Sequence, residues 1–399
     1  MQGGIKLPLD GIVADCIAKE LNMKLAGGKI DKIFQPEPDE IVIFLRTRGT
    51  NYKLLLSANP NYPRIHLTEI SKDNPANPPV FCMLLRKHLI GGKVISFDFN
   101  DYERIISINI ETVNELGDIS IKKLIIEIMG RHSNIILVNE TGKIMDAIKH
   151  VSSDISSVRE VMPAREYVLP PSQNKSDPLS IDVDTLLSNY TIPADNMILV
   201  DNTIYIEKFL LDKIKGFSPF LCREICNSAG VDGKLPVSAL LENHLVMLSL
   251  KDALKKAILK IKLGDYTPYL IFEDESRNKL KDFHCLPLIN TKDNRRAFLV
   301  SISQVLDYFY AGRVYTEKIN NKKSGLLKVL DTHIDRCNKK LAIQQEELRQ
   351  VSDREKLKLY GELITAYIYS IPVNVKKISL PNYYSENNEL VEIPLDENK

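Results

Sequence analysis

Apolar residues near the start of the chain follow a helical period that ends at a pair of glycines. Between Gly11 and Leu25 they recur three and four residues apart, which predicts a helix, and Gly27-Gly28 predicts a left-handed cap at its end. The runs Lys29 to Phe34 and Ile41 to Arg46 lie on either side of a proline-containing turn. They predict two strands of a hairpin.

The same order of elements is predicted a second time further along the chain. Pro79 opens a helical run that ends at Gly91-Gly92. Lys93 to Phe99 then predicts a strand, and Arg104 to Ile110 predicts its hairpin partner.

A short internal repeat connects these two units. Leu25–Ile30 reads LAGGKI and Leu89–Val94 reads LIGGKV, which indicates a duplicated helix and β-hairpin unit. Three later apolar runs, Leu124–Met129, Ile135–Val138 and Lys143–Ile148, predict further strands. We therefore expect a sheet-rich α+β domain in which two helices cover one sheet or brace a two-sheet sandwich.

A polar turn, Gly130 to Asn134, joins the first two of these later strands. Arg131 and His132 lie at its tip. Two interpretations stay open, an ordinary hairpin turn and a contact for a backbone phosphate.

A proline-rich linker, Val161 to Pro171, ends the first domain and is followed by a polar run. Three helical segments are predicted after it, Thr185–Ser188, Thr203–Ile214 and Val237–Leu263. Strand patterning returns at Tyr269 to Glu273, so we expect the chain to rejoin the first domain there.

The run from Leu210 to Ile225 has the layout of a helix, a tight glycine-containing hairpin and a second helix. Ser218 is the predicted N-cap and Pro219 the first helical residue. N–H groups at such a helix start can take a phosphate, and Lys215 and Arg223 supply positive charge. An ordinary αα-corner explains the same pattern.

A long helix is predicted from Gly312 to Ile371. Its apolar positions form a coiled-coil seam: Leu327, Leu330, Ile334, Cys337, Leu341, Leu348 and Val351. The seam needs a partner, either a second copy or a returning helix, and we favour a returning helix that has been cut off. Between Gly312 and Tyr360 the sequence has twelve Lys and Arg residues and seven Asp and Glu residues. That excess suits either a solvated face or a basic arm for RNA.

Composition narrows the class of protein only modestly. Lys and Arg number 53 against 52 Asp and Glu, so net charge does not indicate nucleic acid. The six cysteines match neither zinc-site nor disulfide spacing, and no apolar run is long enough for a membrane span. No phosphate-binding, dinucleotide or nucleophile-elbow motif is found. We expect a cytoplasmic binding protein with no enzymatic activity, cofactor, metal site or membrane partner.

Five runs together resemble one protein family. They are Pro8–Gly11, Leu25–Pro36, Asn77–Leu89, Glu127–Val138 and Asp307–Tyr310. They closely resemble the bacterial NFACT family of RqcH-type ribosome quality control factors, which are related to eukaryotic NEMF and often labelled fibronectin-binding proteins. The resemblance covers nearly the whole chain.

The resemblance implies three domains. Residues 1–172 and 265–312 would form an NFACT-N domain similar to the N-terminal domain of formamidopyrimidine-DNA glycosylase. Residues 173–264 would form a helix-hairpin-helix domain. Residues 313–399 would form the first part of a truncated coiled-coil middle domain.

The resemblance also implies a function. Such a factor binds the large ribosomal subunit, through its rRNA, when peptidyl-tRNA obstructs it, and recruits tRNA, in bacteria alanyl-tRNA, to tail the stalled chain without mRNA. The ribosome would form the peptide bond. The alternative is a surface adhesin that binds fibronectin; a DNA-repair enzyme is a third hypothesis, although the mature Pro-Glu start of the glycosylases has no counterpart here.

The resemblance implies that tRNA recognition depends on an N-terminal Asp and an Asp-Arg pair, as in related members of the family. In this sequence they correspond to Asp10 and to Glu103-Arg104, where Glu replaces Asp. Such an acid and guanidinium can read base edges in an unpaired loop. A strand-end ion pair of little consequence is the alternative. The secondary candidates for phosphate or RNA contacts are Arg131, His132, Arg86, Lys87, Lys215 and Arg223.

Overall fold

The computed structural model describes residues 9–99, 101–113, 117–188, 204–288 and 294–395. They form two compact units, Met1–Tyr315 and Thr316–Lys399. In chain order the elements are α1 Gly11–Leu25, β1 Lys29–Glu37, β2 Glu40–Thr47, β3 Thr50–Ser57, β4 Arg64–Leu67, α2 Val80–Leu89, β5 Lys93–Phe99, β6 Ile105–Val113, β7 Ile119–Glu127, β8 Asn134–Val138, β9 Ile144–Ala147, α3 Val183–Ser188, α4 Ile206–Lys213, α5 Pro219–Ala229, α6 Ala239–Glu242, α7 His244–Leu263, β10 Tyr269–Phe272, β11 Leu280–His284, β12 Arg296–Phe298, α8 Ile302–Ala366, β13 Lys377–Pro381 and β14 Leu390–Pro394. Met1 to Leu7, which from the sequence alone reads as a leader that takes no part in the fold, lies outside the described residues.

Nine antiparallel strands form one continuous sheet in the order β4-β3-β2-β1-β5-β6-β7-β8-β9. Every neighbouring pair is consecutive in the chain except β1 and β5, where the two duplicated units meet. Each duplicated unit contributes a helix, a glycine pair and a set of hairpins. The predicted sheet-rich α+β domain is therefore confirmed. Strands β3 and β4 were not predicted.

The two duplicated helix and hairpin units, which both lie in the first compact unit, join through their glycine pairs. Lys29 lies opposite Lys93, the Gly27 N–H donates to the Val94 carbonyl (2.8 Å), and the Gly91 N–H donates to the Ile30 carbonyl (2.9 Å). Gly27 and Gly91 have φ of +83° and +82°, a backbone conformation that disfavours any residue with a Cβ. The repeat in the sequence is therefore a repeat in backbone geometry.

Beyond this joint β1 and β5 diverge, and helices cover the edges that are freed. On β5 the Asn22 side chain of α1 bonds both backbone groups of Phe97, at 2.8 and 2.6 Å. On β1 the Arg86 Nε of α2 donates to the Ile33 carbonyl (2.7 Å), and the Cys82 thiol does so at 3.7 Å. Side chains thus replace the missing ladder bonds.

The helical segment agrees with its prediction apart from one break. The region predicted as one helix from Val237 to Leu263 is divided into α6 and α7 by Asn243, whose side chain accepts from the N–H groups of Leu245 and Val246. Thr203, where an earlier helix was expected to begin, lies outside the described residues. Helix α4 starts at Ile206.

Strands β10, β11 and β12 form a sheet of their own rather than extending the large one. The chain nevertheless comes back to α1 after the helical segment, because the Cys285 thiol donates to the Ile12 carbonyl of α1 at 3.7 Å. The cores of these segments are continuous with the core between α1 and the large sheet.

Helix α8 begins at Ile302, ten residues before the predicted start at Gly312. It ends at Ala366, five residues before the predicted end at Ile371. Its predicted seam residues are exposed, Leu341 by 53% and Leu348 by 71%. The pairing that would make it a coiled coil therefore stays a prediction.

After α8 the structure has a β13–β14 hairpin, which was not predicted. Leu363, Leu380 and Ile393 form a small core of the second unit there. No helix among the described residues has the length and apolar character required to cross a membrane.

Candidate nucleic-acid interface

Asp10 lies at the start of α1 and is enclosed by protein donors. It is 5% exposed, and its carboxylate accepts from the Val13 N–H (2.9 Å), the Ser218 hydroxyl (2.6 Å) and His284 Nε2 (3.1 Å). The same side chain thus caps α1 and reaches α5 and β11. Few positions for a ligand atom are left on this carboxylate.

The charge of Asp10 follows from these contacts. Burial by itself disfavours the carboxylate, but His284 and the hydrogen bonds from Ser218 and Val13 outweigh it and lower the Asp10 pKa. His284 Nδ1 accepts from the Leu286 N–H at 3.1 Å, so the ring directs an N–H from Nε2 at Asp10. Asp10 is therefore a buried anion at neutral pH.

Close backbone contacts bring three segments to this point. The Gly11 N–H donates to the Gly216 carbonyl (3.0 Å), which joins α1 to the α4–α5 turn. A Cβ at Gly11 would lie 2.5 Å from the Gly216 Cα and 2.4 Å from the Tyr102 carbonyl oxygen. Only glycine fits here.

The β5–β6 turn supplies the third segment. Asp101 and Tyr102 both have positive φ, 62° and 50°, which is costly for residues other than glycine. The Tyr102 ring is buried and packs edge-on against Phe99, with ring centroids 5.6 Å apart. This packing holds the turn in a conformation that brings Glu103 and Arg104 next to Asp10.

Arg104 lies partly buried between two acids. Within the described residues its guanidinium makes no hydrogen bond or ion pair, although its charge interacts with Asp10 and Glu103. Burial lowers the Arg104 pKa, and the two carboxylates oppose that change. A guanidinium has five N–H donors, so Arg104 can bind an acceptor of a ligand.

Glu103 is directed toward a buried lysine. Lys215 Nζ lies 3.8 Å from Glu103 Oε1 and 2.5 Å from Asp101 Oδ2. Lys215 is 7% exposed, so its charge serves chiefly to hold the β5–β6 turn against the α4–α5 turn. We place Glu103, which is about one-third exposed, at the edge of the Arg104 site.

The start of α5 has the predicted geometry, with Ser218 as N-cap accepting from the Leu221 N–H at 3.2 Å and Pro219 in the first turn. The anion beside this start is the carboxylate of Asp10. Arg223 is half-exposed and lies 3.6 Å from a Glu207 carboxylate oxygen. Phosphate binding at this helix start stays a prediction.

The remaining candidate residues lie on other elements, the turn between β7 and β8 and helix α2. Arg131 and His132 are exposed in a short 3₁₀ turn, with Arg131 Nε donating to His132 Nε2 at 2.9 Å. That turn begins next to Arg104, whose carbonyl accepts from the Ile128 N–H. The Arg86 guanidinium lies over the Phe34 ring (5.3 Å) at the edge of β1, and Lys87 is exposed on α2.

His284 and Tyr102 shape the site, and neither was among the sequence candidates. A single histidine in a short strand and a tyrosine in a turn carry no local signal, because their partners are distant in the chain. Among the described residues no three His, Cys, Asp or Glu side chains meet in a way that could hold a metal ion.

The fold and the site define an α+β protein with a cluster of charged side chains, Asp10, Glu103 and Arg104, where the duplicated sheet domain meets the helical segment. Two solved structures are similar to it. The fibrinogen binding protein from Staphylococcus aureus is 31% identical with a TM-score of 0.59, covering 76% of this chain and 99% of that one. The N-terminal part of the fibronectin/fibrinogen-binding protein from Streptococcus suis has 28% identity, the same TM-score and the same coverage.

Residues 10–399 match the family described as NFACT N-terminal and middle domains, and the chain belongs to this family. It is 33% identical over 394 residues to the Rqc2 homolog RqcH of Bacillus subtilis and 30% identical to that of Streptococcus suis. The archaeal Rqc2 homolog aRqcH of Methanocaldococcus jannaschii is 25% identical over 367 residues. The chain spans 64%, 63% and 50% of the length of these relatives, and 98%, 98% and 91% of the chain is covered.

Proposed function

We propose that this chain is part of an RNA-binding ribosome quality control factor of the RqcH type. It binds the large ribosomal subunit, through its rRNA, when peptidyl-tRNA obstructs it, and recruits tRNA, with alanyl-tRNA expected, for mRNA-independent tailing of the stalled nascent chain. The similarity to proteins named RqcH supports this role. On this proposal the protein acts with ribosomes in the cytoplasm.

The partly buried Arg104 guanidinium is the observation that carries the tRNA part of the proposal. Arginine donates to acceptors on base edges and stacks on unpaired bases. Arg104 has donors to spare within the described residues, and the strained turn fixes its position. We therefore assign the direct RNA contact to Arg104, with Glu103 at its edge.

Asp10 has a different role in this proposal. Its oxygens accept from three protein groups, so it positions the α1, α5 and β11 segments around Arg104 and keeps a negative charge beside the guanidinium. No step of the proposed function requires a catalytic side chain or a cofactor, because the ribosome forms the peptide bond. The protein delivers and holds tRNA.

Binding of unfractionated bacterial tRNA to Arg104→Ala tests this assignment. Loss of a bidentate arginine contact costs about 1–3 kcal/mol, or roughly 5- to 150-fold in affinity. Arg165→Ala is the matched control, because that arginine is 67% exposed and pairs with Glu160. Equal affinities of the two variants and the parent would remove Arg104 from the site.

The ribosomal part of the proposal is tested by the RNAs that copurify with the chain from cells. Enrichment of large-subunit RNA together with one tRNA species is expected. Small-subunit RNA at equal abundance would contradict a role on the isolated large subunit.

Fibronectin binding is a second candidate function, favoured only by the names of the similar solved structures. Immobilised fibronectin and tRNA can be compared with the same protein preparation. Tight fibronectin binding that Arg104→Ala leaves unchanged, together with no tRNA binding, would favour the adhesin.

A further inference from the structure

A row of three cations crosses the joint between the two duplicated units. Lys29 of β1 lies opposite Arg46 of β2 on one side and opposite Lys93 of β5 on the other. All three side chains are exposed, whereas their chain neighbours Ile30 and Val94 are buried on the opposite face of the sheet. Arg46, Lys29 and Lys93 are called the cation row below.

The cation row is unfavourable for the fold by itself. Like charges directly opposite each other on neighbouring strands destabilise a sheet. Arg46 has a long contact with Asp31 (Nε to Oδ2, 3.9 Å), and Glu111 lies opposite Lys93. Within the described residues neither the Lys29 nor the Lys93 side chain makes an ion pair or hydrogen bond.

The sequence repeat explains why the lysines face each other. LAGGKI and LIGGKV place Lys29 and Lys93 at equivalent positions, and antiparallel pairing through the glycines brings these positions together. Their backbone positions are thus related by an approximate two-fold symmetry, and both side chains are exposed. Such an arrangement can bind one anionic group from both sides.

We propose that the cation row is a second RNA contact, which binds backbone phosphates rather than bases. Lys and Arg are the usual phosphate ligands, whereas lysine is depleted from the cores of protein–protein interfaces. The three members of the row are all cations, and none of them is an aromatic side chain on which a base could stack. It therefore adds affinity and orientation without sequence preference.

The cation row is separate from the Arg104 site. The β5–β6 hairpin pairs Lys93 with Glu111 at one end and Phe99 with Ile106 at the end near Arg104. Six residues of strand at ~3.4 Å each place the two sites about 20 Å apart. The inference rests on the proposed function for the kind of partner, RNA, but assigns a different surface.

The test compares the salt dependence of tRNA and oligouridine binding for the parent and for the double variant Lys29→Gln with Lys93→Gln. The logarithm of affinity falls with the logarithm of salt concentration in proportion to the phosphates contacted. We expect the double variant to reduce that slope by about 1 to 2 for both probes. Lys29→Arg with Lys93→Arg should keep the parental slope.

Two controls separate a binding role from a structural one. Lys143→Gln with Lys256→Gln removes the same charge from exposed lysines elsewhere and should leave the slope unchanged. The thermal midpoint of the Lys29, Lys93 double variant should be unchanged or raised, because a like-charge pair is removed. A lowered midpoint with an unchanged slope would assign the lysines to the fold and overturn the inference.

The failures of the two proposals are distinguishable. If Arg104→Ala weakens tRNA binding and the double lysine variant does not, the cation row is wrong and the proposed function stands. If neither the parent nor any variant binds tRNA, the proposed function fails. A double variant that keeps its RNA affinity but loses affinity for poly-L-glutamate would indicate an acidic protein partner instead.

Discussion

At the scale of single residues, Asp10 and Arg104 of the candidate site differ in how far other protein groups already occupy them. Asp10 was expected to contact RNA, but three protein donors occupy it. Arg104 keeps its donors available. The position of both residues could be predicted from the family resemblance, whereas the burial of Asp10 could not, since Ser218 and His284 lie far along the chain.

Asp10→Asn tests the buried carboxylate. Asparagine remains a good N-cap, so the variant removes charge rather than the cap, and we expect the free energy of unfolding at pH 7 to fall by about 1–3 kcal/mol. The folded pKa lies below the unfolded one, so this stability is present above the unfolded pKa of about 3.9 and is lost as pH falls through the folded pKa.

Urea unfolding of the parent and of Asp10→Asn at several pH values measures this difference. The gap between them should be constant from pH 7 down to about pH 5 and should narrow below about pH 4. A gap that widens with acid would show that the folded pKa is raised instead.

Gly11→Ala tests the backbone contact that assembles the site. The added methyl group meets main-chain atoms of Gly216 and Tyr102, which cannot move as a side-chain end can. We expect a loss of about 1–3 kcal/mol of stability and weaker tRNA binding. Gly312→Ala is the control, because nothing lies within 4 Å of its added Cβ. A Gly11 variant with parental stability would contradict the close approach.

At the scale of elements, periodicity and glycine pairs identified most of the duplicated units but not their junction. Strands β3 and β4 were missed because β3 begins with polar residues and β4 is only four residues long. The break at Asn243 was missed because apolar residues continue on both sides of it and no Gly or Pro marks it. The covering of the strand edges by α1 and α2 depends on tertiary packing, which local patterns do not encode.

Asn22→Ala tests that edge covering. The Asn22 amide satisfies both the N–H and the carbonyl of Phe97, so its removal leaves two backbone groups of β5 without these bonds. Each such loss costs about 1–3 kcal/mol when the group is buried, and we expect a total of about 2–6 kcal/mol. Thermal unfolding measures it, with Asn139→Ala, a side chain that bonds only an exposed turn, as the comparison. Equal midpoints of the two variants would show that α1 does not replace the missing ladder bonds.

At the scale of the whole chain, each unit has its own core. Among the residues that the structure describes, the main buried cluster of the first unit includes no residue beyond Tyr310, and that of the second consists of Leu363, Leu380 and Ile393. The sequence indicated the long helix between them, because its heptad pattern is local. The β13–β14 hairpin went unpredicted, since its strands are only five residues long each and give little periodicity to detect.

Leu363→Ala tests whether the two cores are energetically independent. Leu363 is fully buried in a small cluster, so its truncation should cost the second unit about 2–5 kcal/mol. Leu363 belongs to a buried cluster separate from that of the first unit. Because sites without shared packing partners contribute additively, the first unit should keep its stability. Hydrogen exchange of peptides from β13 and β14 should accelerate in the variant, whereas exchange in α1 and the large sheet should not change. Leu348→Ala, at an exposed seam position, should alter neither. Faster exchange throughout the large sheet of the Leu363 variant would show one cooperative core, and the proposed RNA contacts of the first unit would then depend on the second.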